Sequence, residues 1–119
     1  MGPREISGFV DLHRPRAGAL REHLAHVAAS VAERGYGPFT ARQHIRVAAE
    51  VGRWLERKRV PVEVFDEEGA GRFLAGVRRL GEGAAERHRA SVRVMLDVLR
   101  GFGAVPAAEV VKQGETVVI

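Results

Sequence analysis

Cysteine is absent from the 119 residues. That excludes disulfides, thiolate metal sites and a cysteine nucleophile. Lysine is nearly absent, with Lys58 and Lys112 standing against 17 arginines. Aromatics make up only 6%, including a single tryptophan, Trp54, and a single tyrosine, Tyr36. No apolar run approaches the roughly 18 residues that a membrane span needs. Met1 to Arg16 holds no apolar core of a signal peptide, so the expected location is cytoplasmic. There is no Walker signature and no dinucleotide fingerprint among the scattered glycines. No repeat of solenoid period occurs.

What remains is a chain of one-domain length, 45% hydrophobic and 29% charged, able to bury a core without staples. Its net charge is +4. Basic charge favours a polyanionic partner. Arginine in particular grips phosphate bidentately and reads guanine edges. A GC-rich coding sequence would also raise Arg, Ala, Gly and Val together, so the positions of the arginines must decide.

Residues 1–16 show no periodicity and contain Gly2, Pro3, Gly8 and Pro15, which reads as an irregular leader. From Ala17 onward the pattern predicts an all-α domain of four helices, ending near Pro106. The first helix, about Ala17 to Arg34, carries the stripe Leu20, Leu24, Val27 and Val31, with Gly35 at the place of a left-handed cap. The second runs from Thr40, paired with Gln43 at capping-box spacing, to about Lys58. Ile45, Ala48, Gly52 and Leu55 centre its buried face, and Val47, Val51 and Trp54 widen it. The third is capped by Asp66, and Phe73, Leu74, Val77 and Leu80 face inward. Gly69, Gly71 and Gly76 make it the weakest by propensity. The fourth, about Ala84 to Phe102, buries Val92, Met95, Leu96, Leu99 and Phe102, and Gly103 and Pro106 end it. Residues 107–119 read as a short extended tail, a strand, a hairpin or the start of a linker.

At about 100° per residue, Arg42, Arg46, Arg53 and Arg57 fall within an arc of roughly 60° on the second helix. Arg89, Arg93 and Arg100 repeat the spacing on the fourth. An arginine-lined helix has the dimensions of an object that enters a major groove. Arg59 and Arg87 would extend such a surface. Gln43 is suited to adenine, because its amide donates and accepts together. The competing reading is a solvated face laced with ion pairs, Glu50 lying between Arg46 and Arg53, and Asp97 four residues after Arg93.

An ordered set of short motifs adds to this. Arg34-Gly35-Tyr36-Gly37-Pro38-Phe39-Thr40, Gly52-Arg53-Trp54-Leu55, Val64-Phe65-Asp66-Glu67-Glu68 with Arg72-Phe73-Leu74, and Arg93-Val94-Met95-Leu96-Asp97-Val98-Leu99 with Gly103-Ala104-Val105-Pro106 occur in series. The series resembles the N-terminal core-binding domain of tyrosine recombinases, or phage-type integrases, over about Leu20 to Pro106. The resemblance implies a SAM-like four-helix orthogonal bundle whose second and fourth helices face duplex DNA, the contacts falling to Thr40, Arg42, Gln43, Arg46, Arg53, Arg57, Arg87, Arg89 and Arg93. It also implies, as further partners, a second copy or a recombinase catalytic domain. The family's catalytic domain and tyrosine nucleophile have no counterpart here, and Tyr36 aligns with an interhelical link. The expectation is therefore a non-enzymatic module with no cofactor, metal or small-molecule substrate. The alternative is a helical protein-interaction module, with Val117-Val118-Ile119 able to add a strand to a partner.

Other constellations carry less. His23 and His26 lie three apart without a third ligand. His88 falls on the inner side of its helix, which suits a hydrogen-bonded buried or boundary histidine better than a catalyst. Trp54 suits packing better than base stacking. Ser91 has no histidine and carboxylate at supporting spacing.

Overall fold

A computed structural model describes residues 3–79, 81–101 and 103. Among the described residues the regular structure is entirely helical. Five α-helices follow one another: α1 (Pro3–His13), α2 (Leu24–Glu33), α3 (Pro38–Lys58), α4 (Glu67–Arg78) and α5 (Glu82–Gly101). Short 3-10 turns lie at Arg14–Arg16, Gly18–Leu20 and Val62–Val64. The expected tail at 107–119, and the inward positions of Leu80 and Phe102, lie outside the described residues.

The four apolar stripes meet in one core. Leu20, Leu24, Val27 and Val31 are buried with Ile45, Ala48, Val51 and Leu55, with Phe65 and Phe73, and with Val92, Met95, Leu96 and Leu99. The longest helix, α3, is central and packs on α1, α2, α5 and the Gly18–Leu20 turn, while α4 packs on α5. Trp54 sets its ring edge-on to Phe65 and Phe73, at centroid distances of 6.5 and 5.9 Å. It is a packing residue, as its place at the rim of the apolar arc implies.

Three departures from the sequence expectation have physical causes. The leader is not irregular, because Pro3–His13 is α1. Val10 is buried, and Phe9 is half-buried with its ring 4.4 Å from that of His13. Ile6, Phe9 and Val10 stand at helical spacing in the sequence, a run too short to form a helix alone; burial against α2 and α3 stabilises it. Next, the expected first helix is broken at its start, and regular α-geometry begins only at Leu24. The backbone at Gly18 has φ +50° and crosses α3 at Gly52 so closely that a Cβ on Gly52 would sit 1.8 Å from the Ala17 carbonyl oxygen. An α-helix through 17–23 is replaced by a tight turn that lets two backbones touch.

Finally, α3 begins at Pro38, not Thr40. Its N-cap is the extended Gly37, with no side-chain cap. Proline at the first helical position has φ preset and no N–H to satisfy, so no capping box forms. Thr40 is half-buried in the first turn, and the Gln43 side chain turns to Arg46 instead. Other signals act as expected. Asp66 Oδ1 accepts the Gly69 amide at 3.0 Å, and Gly35 takes φ +80° after α2.

Candidate nucleic-acid interface

On α3 the ten buried positions, from Ala41 to Leu55, cover well over half of the helix circumference. Arg42, Arg46 and Arg57 are exposed on the remaining arc, and Arg53 is half-buried there. Two of them are fixed by the N-terminal elements. Arg46 donates from Nη1 to Gln43 Oε1 at 3.1 Å and sets its guanidinium 5.9 Å from the Phe9 ring centroid. Arg53 donates from Nη1 to the Arg16 carbonyl at 2.7 Å. Arg57 lines a separate groove of about 700 Å³ between α3 and α4 with Lys58, Arg72 and Arg79, over Trp54 and Phe73.

Glu50, the residue placed to neutralise Arg46 and Arg53, is engaged elsewhere. Its Oε1 lies 2.9 Å from His88 Nε2 on α5, while His88 Nδ1 lies 2.9 Å from the Ala84 carbonyl oxygen. Among the described residues no ion pair joins a carboxylate to Arg42, Arg46, Arg53 or Arg57. This imbalance registers at His13, whose pKa lies below the ordinary imidazole range. Partial burial is the main cause, and the positive charges of Arg46, Arg16 and Arg53 add to it.

The α5 row has a different setting. Arg89, Arg93 and Arg100 line a groove of about 510 Å³ against α4, which Glu67 and Asp97 also border. Here acids are interleaved. Arg89 lies 3.8 Å from Glu86, Arg100 pairs with Glu67 at 3.2 Å, and Asp97 pairs with Arg34 at 3.2 Å rather than with Arg93. Arg89 is half-buried, and its Nε is enclosed without a hydrogen-bond partner. Arg87 is exposed near the start of α5. The structure thus gives the two rows different neighbours: the α3 row meets α1 and the 14–16 turn, and the α5 row lines the α4 groove. It brings Arg46 and Arg53 close to Arg16 and His13. The leader's contribution escaped the sequence reading, which took its glycines and prolines as marks of irregular backbone.

A second pairing was also missed. His44 and Ser91, 47 residues apart, hydrogen-bond at 2.7 Å between α3 and α5. Ser91 therefore does have a histidine beside it. Both are buried, at 5% and 1% exposure, and the Tyr36 ring stands edge-on to His44 at 4.7 Å. No substrate reaches such a pair, and it reads as a core hydrogen bond. Burial, and secondarily Arg34, lowers the His44 pKa. The only outward signal in sequence was that position 44 falls on the buried arc of the helix. Among the described residues no three metal-ligating side chains cluster, and no helix is long and apolar enough to cross a membrane.

No protein-family model and no solved structure matches the chain. It is 35% identical over 80 residues to a protein of Sinorhizobium fredii named "Putative integrase/recombinase y4rA". The match takes in 65% of this chain but 20% of that protein, so the chain spans about a fifth of its relative's length. That likeness supports a relationship between this chain and the integrase family.

Proposed function

We propose that the chain is a double-stranded-DNA-binding module of a site-specific recombinase of the tyrosine type, folded as a SAM-like bundle and performing no chemistry itself. The observation that carries this reading is the α3 row. Arg42, Arg46, Arg53 and Arg57 occupy the solvent arc of the central helix with no carboxylate paired to them among the described residues. Uncompensated cations on one helix face suit a phosphate backbone, and base edges then lie within reach of Thr40, Arg42 and Gln43 near the helix start. Arg87, Arg89 and Arg93 supply further contacts, weakened by the acids around them. The name of the relative is consistent with this role. The interaction-module reading finds less support: among the described residues Leu12, Phe39 and Val64 are the large apolar side chains left exposed, and scattered single residues of this kind are ordinary.

Titration of duplex DNA at two salt concentrations tests the proposal with Arg46→Ala and Arg93→Ala. Each lost phosphate contact should lower the slope of log K against log salt by about 0.9. Arg46→Ala should weaken binding more than Arg93→Ala. Unchanged affinity and slope in Arg46→Ala would remove α3 from the interface.

A further inference from the structure

We propose that the corner where α1, the Arg14–Arg16 turn and α3 meet is a phosphate-binding site, occupied by the DNA backbone, in which His13 takes up a proton on binding. This deepens the DNA-binding reading and rests on it. It assigns a role to the N-terminal helix, which carries none of the recombinase-like motifs.

Three arginines from two elements gather around one histidine. Arg46 lies across Phe9, whose ring stacks at a tilt on His13, and Arg53 reaches over to hold the Arg16 carbonyl. The Arg46 and Arg53 guanidiniums are thereby oriented by backbone, amide and ring contacts, with no carboxylate among the described residues paired to them. The acid nearest in sequence, Asp11, is engaged by Arg14 at 3.5 Å. Burial is the first cause that holds the His13 pKa down; Arg46 and Arg53 from α3 and Arg16 from the turn add to it, and α2, the other helix packed on α1, supplies none of these cations. Such a cluster repels itself in the free protein. A phosphodiester placed among these groups reverses the sign of that interaction and favours the imidazolium, which then adds a donor to the bound oxygen. The α4–α5 groove, by contrast, already holds its own acids.

The sign of the linkage follows. The free protein holds His13 neutral further into acid than an ordinary imidazole, and the bound state holds it charged. Binding therefore takes up a proton, and affinity falls as pH rises through the range around and below about pH 6.5.

The full chain is titrated with a duplex oligonucleotide at about pH 5.5 and about pH 7.5 at fixed ionic strength, beside His13→Gln and Arg16→Ala, with circular dichroism confirming the fold. In parallel, NMR of the histidine rings follows the His13 titration alone, with duplex and with inorganic phosphate. The wild-type affinity should drop by about threefold more than that of His13→Gln across this interval, one proton permitting at most about tenfold per pH unit. Arg16→Ala should lower the salt slope. The His13 titration should move upward with duplex. A rise with duplex but not with inorganic phosphate assigns the site to the DNA backbone; an equal rise with both overturns DNA as its particular occupant. Parallel pH dependences, with an unmoved His13 and DNA binding that Arg42→Ala still weakens, would overturn the corner site and leave α3 recognition standing. Absence of duplex binding altogether would remove both.

Discussion

Gly52 has no room for even one methyl group, because a Cβ there would overlap the Ala17 carbonyl and touch the Leu20 side chain. Gly52→Ala must therefore push the Gly18–Leu20 turn off α3, costing about 3 kcal/mol or more by overpacking. Thermal unfolding would register this as a large loss; a change within about 0.5 kcal/mol would show that the close crossing is not a fixed feature. The His44–Ser91 bond makes a second prediction at this scale. Ser91→Ala leaves His44 Nδ1 without its partner inside the core and should cost about 1–3 kcal/mol. His44 also ties stability to pH. Its folded pKa lies below the ordinary value of 6.5. In the window between the two, the unfolded chain binds the extra proton, so stability is complete above about pH 6.5 and declines as pH falls through the folded value. Unfolding midpoints at about pH 5 and about pH 7.5 should differ in that direction, and His44→Gln should narrow the gap. His13, shifted the same way, keeps part of it.

Among the elements, α4 is the one whose composition argues against it. Its Asp66 cap is closed by a 3.0 Å bond to Gly69, so Asp66→Ala should lower stability by about 1 kcal/mol in denaturant titrations. Gly76 has nothing within 4 Å of a Cβ position, so Gly76→Ala should raise stability by about 0.5–1 kcal/mol, the helix gaining propensity without a clash. The same element shows what a sequence discloses. Helices α3, α4 and α5 were legible because each carries a long apolar stripe and a local end signal, Asp66 before α4 and Gly103 after α5 among them. The start of α3 was misplaced by two residues, because Pro38 and Thr40 are both sound N-terminal signals and only the backbone decides between them. The break before Leu24 was not legible, since it depends on a contact of Ala17 and Gly18 with Gly52 of α3, more than 30 residues away in the chain, and the short apolar spacing of α1 was masked by its glycine and prolines. For the candidate site the legible part was the arginine spacing. Which arginines stay unpaired was not, because Glu50 turns to His88 on another helix, and Asp97 to Arg34.

At the scale of the molecule, a net charge of +4 is small, and its distribution decides what it can do. Around α3 and the α1 corner, no carboxylate among the described residues pairs with Arg42, Arg46, Arg53 or Arg57, since Asp11 and Glu50 turn to Arg14 and His88; between α4 and α5, arginines and acids alternate. Whether the second region shares the DNA-facing side can be read by removing one of its acids. Asp97 is 65% exposed at its side chain, lines the α4–α5 groove with Arg93, and pairs with Arg34. Asp97→Asn should cost less than about 1 kcal/mol of stability, as exposed ion pairs do. If the groove faces DNA, deleting this charge removes a repulsion from phosphate and leaves Arg34 and Arg93 less neutralised. Duplex affinity should then rise by about threefold at low ionic strength, and the gain should shrink as salt screens it. If the α5 row points away from a duplex held by α3, the affinity will not respond at any salt concentration. DNA contact would then fall to α3 and the N-terminal corner alone, and the resemblance of the fourth helix to its recombinase counterpart would be one of packing rather than of recognition.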